Sequence, residues 1–350
     1  MKIVHLIFDL NTGGAETMLI DIINEQVKSK QVSLIIINNE INKNLIEKIN
    51  SKVKVILIGR RERSRNPIPI ITLNWHLLKL NPDVIHCHNE SVVRIIIFRN
   101  KCVLTVHDIN ISTKNFKFYI KLFAISKSVK NDIEQRSGIK PIVVYNGIRI
   151  DAIKQKENYD FNIFRIVQVS RLDHEKKGQH ILLEALKTLV YKKKITNICV
   201  DFIGEGNAFA YLKKLVEEYK IKEYVNFLGI KDRNYIYEHL KDYNLLVQPS
   251  LYEGFGLTIV EAMAAKVPVL VSDIDGPMEI VDNGNHGYFF KTGNPKMCAE
   301  KILTIMNDSL SANFKNKMED SACFVQTKFD IKITASMYIE YYSYIKNGTN

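Results

Sequence analysis

Short apolar runs rich in β-branched residues alternate with amphipathic helical stretches along almost the whole chain, and this alternation constrains the fold most. Each run is continuous and is bounded by turn-forming residues, which is typical of strands buried on both faces of a parallel sheet. The helices between them imply right-handed β-α-β crossovers. Strands are predicted at residues 3–8, 32–37, 53–58, 84–87, 103–106, 123–125 and 142–144, and then at 164–169, 198–203, 225–228, 245–247 and 268–271.

The strands fall into two series, and residues 151–162 between them are polar and lack a strong hydrophobic period. We interpret this segment as a linker, because 350 residues suit two domains of ~150–200 residues. The sequence therefore predicts two doubly wound α/β domains, residues 1–155 and 156–330, followed by an aromatic-rich helix in residues 331–350. Ligands of such sheets bind beyond the carboxyl ends of the strands, so we expect a ligand cleft between the domains.

Composition narrows the class of protein. Hydrophobic residues make up 46% of the chain and charged residues 25%, which is typical of a globular protein rather than a disordered one. No apolar run reaches the ~20 residues needed to cross a bilayer, and the first residues lack the pattern of a signal peptide. The five cysteines are far apart and include no CxxC pair, so neither disulfides nor a structural zinc site is expected. These features favour a cytoplasmic protein.

Positive charge is concentrated in the first half of the chain. Residues 1–155 contain 24 Lys and Arg against 13 Asp and Glu, whereas the remaining residues contain 25 of each class. A half with such an excess is expected to meet an anionic partner, either nucleic acid or an acidic membrane surface, and a lysine-rich coding bias is the alternative. No helix-turn-helix, RNP or zinc-finger signature is present, which argues against nucleic acid.

The densest basic cluster comprises Arg60, Arg61, Arg63 and Arg65, and it is followed by an apolar stretch that contains Trp75. A basic cluster beside such a stretch suits a segment that lies on an anionic membrane. The sequence therefore predicts peripheral association with the inner face of the membrane. The alternative is a core helix preceded by a solvated arginine loop.

The first motif is the loop NTGGAE at residues 11–16, which follows the first strand and opens the first helix. Gly13 and Gly14 allow a backbone to approach a phosphate or a sugar closely, and a helix N-terminus favours negative charge. The loop is not GxGxxG, and the second strand ends in IIINNE without the acidic ribose ligand of dinucleotide-binding folds. A tight strand-to-helix turn is the alternative reading.

The second motif, SRLDHEKKG at residues 170–178, follows the first strand of the second domain. Arg171 offers a fork for phosphate oxygens, and Lys177 offers a point charge six residues later. Together they could neutralise a diphosphate, and a solvated charged loop is the alternative.

The third motif, QPSLYEGFGLTIVEA at residues 248–262, joins a strand to a helix through a glycine-rich loop. The first-turn amides and the dipole of that helix suit a phosphate. Glu253 lies in the loop and Glu261 lies in the helix, so both carboxylates flank this anion site. That arrangement is unfavourable unless the carboxylates bind neutral hydroxyl groups, which a nucleoside and a sugar provide.

With these motifs, the chain resembles the retaining glycosyltransferases of family 4, which have the GT-B fold of two Rossmann-like domains facing across a cleft. The resemblance is to members that assemble bacterial surface polysaccharides, and it covers most of residues 1–300. The matching segments are GGAE, PDVIHCHN, TVHD, AISKSV, YNGI, SRLDHEKKGQ, FIGEGN, NFLG, and the E-x7-E segment with its sequel VPVLVSDIDGPMEIV.

The resemblance implies roles for the matching residues. Arg171 and Lys177 would bind the donor diphosphate, with Lys176 as an alternative to its neighbour. Glu253 would meet the transferred sugar, and His107 would lie beside that sugar near the reacting carbon. The remaining donor-binding residues would be Gly13, Gly14, Gly254, Phe255, Gly256, Leu257 and Thr258, with Glu261 at the ribose hydroxyls.

Two patterns that suggest metal binding are set aside. Asp273 and Asp275 form a D-x-D, but within this pattern positive groups already balance the diphosphate. His86, His88 and His107 could suggest a metal cluster, yet no carboxylate partner is evident. We therefore expect a metal-independent enzyme without a cofactor.

The sequence thus predicts a retaining hexosyltransferase that moves a sugar from a nucleotide-diphosphate sugar, UDP-linked, to a glycan acceptor that is lipid-linked. The expected pathway is capsule, exopolysaccharide or O-antigen assembly. A Rossmann-type NAD-dependent oxidoreductase or epimerase and a non-catalytic relative with the GT-B fold are the alternatives. The last helix is expected to cross back to the first domain, as the resemblance implies.

Overall fold

The computed structural model describes residues 1–11 and 13–347. Thr12 of the first glycine loop and residues 348–350 of the last predicted segment lie outside these described residues. The chain forms two compact units. Unit 1 consists of Met1–Ile148 together with Phe329–Asn350, and unit 2 consists of Arg149–Lys328.

The first part of unit 1 is a seven-stranded parallel sheet with helices between its strands. The strands are β1 (Lys2–Ile7), β2 (Gln31–Asn38), β3 (Lys54–Arg60), β4 (Val84–Cys87), β5 (Cys102–Val106), β6 (Lys121–Ala124) and β7 (Ile142–Val143). The helices are α1 (Gly14–Gln26), α2 (Lys43–Ile46), α3 (Ile68–Leu80) and α4 (Lys127–Ser137). The strand order is β3-β2-β1-β4-β5-β6-β7, so the order reverses between β1 and β4.

Unit 2 repeats this plan with a six-stranded parallel sheet. The strands are β8 (Phe164–Val169), β9 (Ile198–Ile203), β10 (Val225–Phe227), β11 (Leu245–Gln248), β12 (Val269–Ser272) and β13 (Tyr288–Phe290), in the order β10-β9-β8-β11-β12-β13. The helices are α5 (His174–Lys177), α6 (Gln179–Tyr191), α7 (Phe209–Glu218), α8 (Arg233–His239), α9 (Leu257–Ala264), α10 (Asp275–Ile280), α11 (Pro295–Asp308) and α12 (Phe314–Phe329), whereas α13 (Ile331–Lys346) belongs to unit 1. Both units are therefore Rossmann-like, with ligand-binding ends where the strand order reverses.

Strand burial explains why the apolar runs predict the sheets well. Every residue of β1 after Lys2 is buried, and all residues of β4, β5, β11 and β12 are buried. Each predicted run coincides with a strand. The sequence analysis did not predict β13, because its three residues, Tyr-Phe-Phe, are too few to form a recognisable run.

Residues 151–162, which we interpret from the sequence as the linker, lie within unit 2. The amide of Lys156 donates to the carbonyl of Ala265 (2.9 Å), and the hydroxyl of Tyr159 donates to the carbonyl of Lys266 (2.8 Å). These contacts hold the segment against unit 2. Most of its residues are polar, and the few side chains that anchor it do not form a hydrophobic period in the sequence.

Helix α13 packs in unit 1 against α1 and β4. Its Tyr338 and Tyr342 are fully buried there. The hydroxyl of Tyr342 lies 2.5 Å from Nδ1 of His86, and the hydroxyl of Tyr338 lies 2.9 Å from Oγ1 of Thr105. The aromatic residues of the last helix thus complete the core of the first unit.

Candidate functional site

In unit 2, the predicted diphosphate residues follow β8: Arg171 lies in the loop from β8 to α5, and Lys176 and Lys177 are the last two residues of α5. The side chain of Asp173 caps α5, and the side-chain amide of Gln179 donates to the carbonyl of Arg171 (2.9 Å). Gly178 has a φ of +68°, and a Cβ there would lie 1.9 Å from the carbonyl oxygen of Pro249. Only glycine allows this close approach, so Gly178 brings the diphosphate loop against the loop that follows β11.

The E-x7-E loop is fixed from two sides. Backbone amides of Leu251 and Tyr252 donate to the carbonyl of Lys176 (3.0 and 3.2 Å). On the other side, a Cβ on Gly276 of α10 would lie 2.5 Å from the carbonyl oxygen of Glu253. Gly276 therefore has to be a glycine for α10 to pack here, a positional requirement that the sequence analysis missed.

Lys177 and Glu253, which the sequence analysis assigned to different parts of the donor, form an ion pair. Their Nζ and Oε2 atoms lie 2.5 Å apart, and the side chains are only 17% and 14% exposed. The two neighbouring lysines differ, because Nζ of Lys176 instead lies 5.2 Å from the ring centroid of Tyr252. The Arg171 side chain is exposed at the same loop.

Glu261 lies in the second turn of α9 and is buried. Its Oε1 lies 3.3 Å from Nε of Arg233, the first residue of α8, and both side chains are nearly buried. The guanidinium of Arg233 also stacks over the ring of Tyr237 at 4.9 Å. The sequence analysis missed Arg233, because no motif links it to a glutamate 28 residues later.

The N-terminus of α9 faces the same loop. Its N-cap is Gly256, which supplies no side-chain oxygen to the helix, and Leu257 and Thr258 form the first turn. The ring of Phe255 is 2% exposed and anchors the loop in the core, whereas Gly254 contributes only backbone. First-turn amides have no intrahelical acceptor, so this helix end suits an anion.

In unit 1, the predicted glycines also begin a helix. Gly13 is the N-cap of α1 with an extended φ of −165°, Gly14 is the first helical residue, and Gly13 itself has no side chain with which to cap this end. The helix starts immediately after β1, beside the reversal of strand order. The strand orders make β1 the counterpart of β8, so Gly13 and Gly14 occupy in unit 1 the position of the segment that follows β8 in unit 2.

A cavity of about 180 Å³ opens at the carboxyl ends of β1, β4 and β5, and we call it the unit 1 cavity. Among the described residues, its lining contains three carboxylates and two histidines but neither lysine nor arginine. The polar side chains that line it include Glu16, His88, Asn89, Glu90, His107 and Asp108.

His107 is connected to the core of unit 1 by a chain of hydrogen bonds, which we call the histidine chain. Nε2 of His107 lies 3.1 Å from Nδ1 of His88, and Nε2 of His88 lies 3.0 Å from Nδ1 of His5. Nε2 of His5 lies 2.8 Å from Oε1 of Gln26 at the end of α1. The register that pairs β1 with β4 and β4 with β5 brings these residues together.

Burial keeps the histidine chain neutral. It lowers the pKa of His5 to about 4, against the opposing effect of the hydrogen bond to Gln26. It also lowers the pKa of His107 to about 4, although the charge of Asp108 acts in the opposite direction. The pKa of His88 lies well below its usual value for the same reason, with neighbouring histidines adding to the shift.

His5, His86 and His88 cluster closely enough to suggest a metal site. However, each of their ring nitrogens already faces a protein partner: His5 and His88 lie in the histidine chain, and His86 lies between Tyr342 and Thr105. A metal ion would have to replace these bonds.

The two aspartates of the D-x-D motif have different surroundings. Oδ1 of Asp273 accepts from the backbone amide and the hydroxyl of Thr292 (2.7 and 2.6 Å). Partial burial would raise the pKa of Asp273, but these hydrogen bonds and the charge of Lys291 lower it. Asp275 begins α10 and is exposed.

The predicted membrane segment has an exposed apolar stripe in the structure. Leu73 and Leu77 anchor α3 in the core. The stripe, which we call the α3 stripe, is 53–64% exposed and consists of Ile68, Ile71, Trp75 and Leu78. The helix is therefore not simply a core helix, which was the alternative to the predicted membrane segment.

The arginines beside the α3 stripe differ from one another. Arg61, Arg63 and Arg65 are exposed. Arg60 is half-buried, and its guanidinium bonds Oδ1 of Asn38 (3.3 Å) and the carbonyl of Ser64 (3.4 Å), so the four-residue cluster of the sequence analysis reduces to three. Within the described part of the chain, no helix combines the length and apolar character needed to cross a bilayer.

Comparison with protein families gives two matches that follow one another along the chain. Residues 149–322 match the family described as Glycosyl transferases group 1. Residues 12–152 match Glycosyltransferase Family 4.

Curated relatives align over very different lengths. The uncharacterized glycosyltransferase MJ1178 of Methanocaldococcus jannaschii is 29% identical over 188 residues, which cover 54% of this chain and 50% of that protein. The chain thus spans about half the length of this relative. The N-acetylgalactosamine-N,N'-diacetylbacillosaminyl-diphospho-undecaprenol 4-alpha-N-acetylgalactosaminyltransferase of Campylobacter jejuni is 24% identical over 358 residues, covering 92% of this chain and 94% of that enzyme.

Among solved structures, Anabaena Alr3699/HepE in complex with UDP and glucose is similar in fold. It has a TM-score of 0.82 and 22% sequence identity, and the match covers 98% of this chain and 99% of that chain. This similarity supports the predicted GT-B fold.

Proposed function

Since the chain belongs to the group 1 and family 4 glycosyltransferases, we propose that it is a retaining, metal-independent hexosyltransferase that uses a UDP-linked sugar. The acceptor is a lipid-linked glycan in the assembly of a bacterial surface polysaccharide. The Anabaena structure that contains UDP supports the choice of nucleotide. The Campylobacter relative, whose name specifies a diphospho-undecaprenol substrate, supports the choice of acceptor.

The ion pair of Lys177 and Glu253 carries the donor assignment. A nearly buried lysine and glutamate at the end of a parallel sheet form a charged pair whose partners suit different parts of one ligand. The ammonium of Lys177, with Arg171 and the N-terminus of α9, matches a diphosphate. The carboxylate of Glu253, once released, matches the hydroxyl groups of a sugar.

The proposed reaction needs no protein nucleophile. The bond between the anomeric carbon and the diphosphate oxygen breaks, and the acceptor oxygen bonds to that carbon on the face that the diphosphate leaves. The acceptor proton passes to the departing diphosphate. Arg171, Lys177 and the amides of Leu257 and Thr258 stabilise the charge that develops on the leaving group, which is where enzymes gain much of their rate enhancement.

Donor binding and product stereochemistry test this function. A thermal-shift screen across UDP-, GDP- and ADP-sugars should show stabilisation by UDP-sugars, because a ligand at 100 times its Kd stabilises a protein by ~2.7 kcal/mol. NMR of the product should show the anomeric configuration of the donor. Stabilisation by NAD(H) instead would indicate an oxidoreductase, and UDP binding without transfer or donor hydrolysis would indicate a non-catalytic relative.

Unit 1 also presents a surface that suits an anionic membrane. The α3 stripe is apolar and exposed, and Arg61, Arg63 and Arg65 are exposed in the loop that precedes it. The amide of Ile97, a further exposed apolar residue, donates to Oδ1 of Asn74 on α3 (2.9 Å), which extends the apolar surface. We propose that this surface lies on the cytoplasmic face of the membrane, where the lipid-linked acceptor is found.

Vesicle co-sedimentation tests the membrane proposal. Binding to phosphatidylglycerol vesicles should fall as salt rises and should weaken about 100-fold when Arg61, Arg63 and Arg65 become Gln, since each contributes ~1 kcal/mol. The matched control changes three exposed lysines of unit 2, Lys192, Lys193 and Lys194, to Gln. Equal binding to neutral phosphatidylcholine vesicles, or equal losses in both variants, would refute the proposed surface.

A further inference from the structure

The residue at the end of the histidine chain, Gln26, determines which ring nitrogens of the chain carry hydrogens. A neutral imidazole has one donor and one acceptor nitrogen. The structure orients the Gln26 amide with Oε1 towards His5 and leaves its Nε2 without a partner among the described residues; in this orientation Nε2 of His5 carries a hydrogen and Nδ1 of His5 is an acceptor. His88 must then donate from Nε2 to His5, which leaves its Nδ1 to accept from His107.

This order makes Nδ1 of His107 an acceptor. That atom is buried and has no hydrogen-bond partner among the described residues, while the histidine itself lines the unit 1 cavity. An unsatisfied buried acceptor is rare and costs free energy until a donor reaches it. The cavity also contains the carboxylates of Glu16, Glu90 and Asp108, so a ligand that supplies hydroxyl donors fits better than an anion.

We propose that Gln26, His5 and His88 are positioning residues that hold His107 in its Nε2–H tautomer, so that Nδ1 accepts a hydrogen bond from a sugar hydroxyl in the unit 1 cavity. Three elements supply these residues: Gln26 ends α1, His5 lies in β1, and His88 follows β4. The identity of the ligand as a sugar rests on the proposed function. The tautomer does not, because it is a property of the ligand-free protein.

His86 shows that burial alone does not give this arrangement. It packs against His5 and His88, with ring centroids 5.0 and 4.4 Å away, and it is equally buried. Its nitrogens nevertheless face Tyr342 and Thr105, so it does not belong to the histidine chain. Hydroxyl groups donate or accept, and they therefore leave the tautomer of His86 open, whereas the amide oxygen of Gln26 fixes that of His5.

NMR of the full chain labelled with 15N-histidine tests the assignment directly. Two-bond correlations between ring protons and nitrogens distinguish a protonated nitrogen from a bare one, and the His107 signals are identified by their loss in His107→Gln. We expect Nε2 of His107 to be protonated and Nδ1 to be bare at neutral pH. A protonated Nδ1 of His107 in the wild-type protein would overturn the proposal, and a variant is needed only to assign the His107 signals.

Gln26→Met removes the acceptor at the end of the histidine chain while keeping a side chain of similar length. His5 then has no acceptor for Nε2–H, so the chain is expected to reverse and to place a hydrogen on Nδ1 of His107. The matched control is Tyr338→Phe, which removes a buried hydroxyl that bonds Thr105 outside the chain. Reversal in the control, or no change in Gln26→Met, would contradict the positioning role.

Activity then links the tautomer to the ligand. Gln26→Met should lower kcat/KM about tenfold, mainly through KM, because one net hydrogen bond to a neutral hydroxyl is lost in the ground state and the transition state alike. Tyr338→Phe should keep the wild-type value. If NMR gives the expected tautomers but the protein transfers no sugar, the proposed function fails and the histidine chain stands. If transfer occurs with the opposite tautomers, only the histidine chain is refuted.

Discussion

Unit 1 and unit 2 have parallel sheets of the same strand order, yet they fix their candidate ligand-binding side chains by different interactions. Unit 2 uses ion pairs, with Lys177 on Glu253 and Arg233 on Glu261. Unit 1 uses neutral hydrogen bonds that end at His107. The same backbone plan therefore supports one site built from charges and another built from uncharged polar groups.

Under the proposed function, this difference divides the substrate groups between the units. The paired charges would exchange partners when a charged diphosphate arrives, whereas a neutral hydrogen-bond chain would match hydroxyl groups without introducing a net charge. The net charge of each unit does not match the charged or neutral character of its candidate site. Unit 1, with the neutral site, has 24 Lys and Arg against 14 Asp and Glu, whereas unit 2 has 25 against 24. The excess of unit 1 lies outside its cavity, where Arg61, Arg63 and Arg65 are exposed.

The largest effect is expected when the charged site of unit 2 loses its cation. Lys177→Ala should lower turnover by at least 10²-fold, on the order of 3 kcal/mol, because leaving-group charge loses a positive partner and Glu253 is left nearly buried without its lysine. Arg171→Ala should have a comparable effect. Steady-state kinetics with a UDP-sugar measures both.

Lys176→Ala is the control for that prediction, since its ammonium lies over Tyr252 rather than on Glu253. We expect a loss of less than tenfold in this variant. A severe loss in Lys176→Ala with near-normal Lys177→Ala would exchange the roles of the two lysines, and normal activity in both variants would remove the charged site from the mechanism.

Acid should destabilise unit 1 through its neutral histidines. The pKa of His5 is about 4 in the folded protein and 6.5 in its unperturbed state, so the unfolded chain binds more protons below pH 6.5. Its contribution to stability is complete above pH 6.5 and is lost as pH falls towards 4, by about 3 kcal/mol. The groups that face His5 are Gln26, His86 and His88, and the two histidines act in the same direction because burial lowers their pKa as well.

Hydrogen exchange measured by mass spectrometry, corrected for intrinsic rates at each pH, resolves the two units. Protection of β1 in unit 1 should fall between pH 6.5 and 4, and His5→Phe should reduce this dependence on pH. Equal loss of protection in β1 and in β8 of unit 2 would show that acid acts on the whole chain rather than on the histidine chain.

A smaller effect is expected on nucleotide affinity, and it should differ between variants of Glu261 and Glu253. Glu261→Gln should weaken UDP binding about tenfold, the size of one charge-assisted hydrogen bond. Arg233→Gln should weaken it at least as much, because Glu261 is then buried without its cation. Glu253→Gln should change UDP affinity less than twofold and instead reduce transfer. Calorimetry with UDP tests this order, and the reverse order would exchange the roles of the glutamates.

The smallest effect is expected from removing metal ions. EDTA should leave activity unchanged, because Arg171, Lys177 and the N-terminus of α9 balance the diphosphate. Loss of activity on chelation, restored by Mg²⁺ or Mn²⁺, would mean that unit 2 does not balance the diphosphate with its own charges.

The strands of the sheets and the loops that follow them could be predicted from the sequence, because both depend on residues that are neighbours along the chain. Continuous apolar runs predict buried parallel strands, and the loops of Arg171 and Glu253 directly follow such strands. The family and the GT-B fold predicted from these motifs are confirmed by the comparisons.

Contacts between distant segments could not be predicted in the same way. Arg233 reaches Glu261 from the start of a different helix, α8, and no periodicity connects the two. Gln26, His5 and His88 meet because β1 lies beside β4, a neighbour relation that only the strand order supplies. Arg60 resembles its exposed neighbours in sequence, but its place at the end of β3 directs its guanidinium to Asn38.

The position of α13 in unit 1 has a consequence for synthesis on the ribosome. Tyr338 and Tyr342 complete a core whose other residues, such as Ile3 and Met18, are translated more than 300 residues earlier. The 180 residues of unit 2 lie in between, and at ~5–20 residues per second they take roughly 10–40 s to synthesise. During that interval the apolar residues of the nascent first unit that pack against α13 lack this cover.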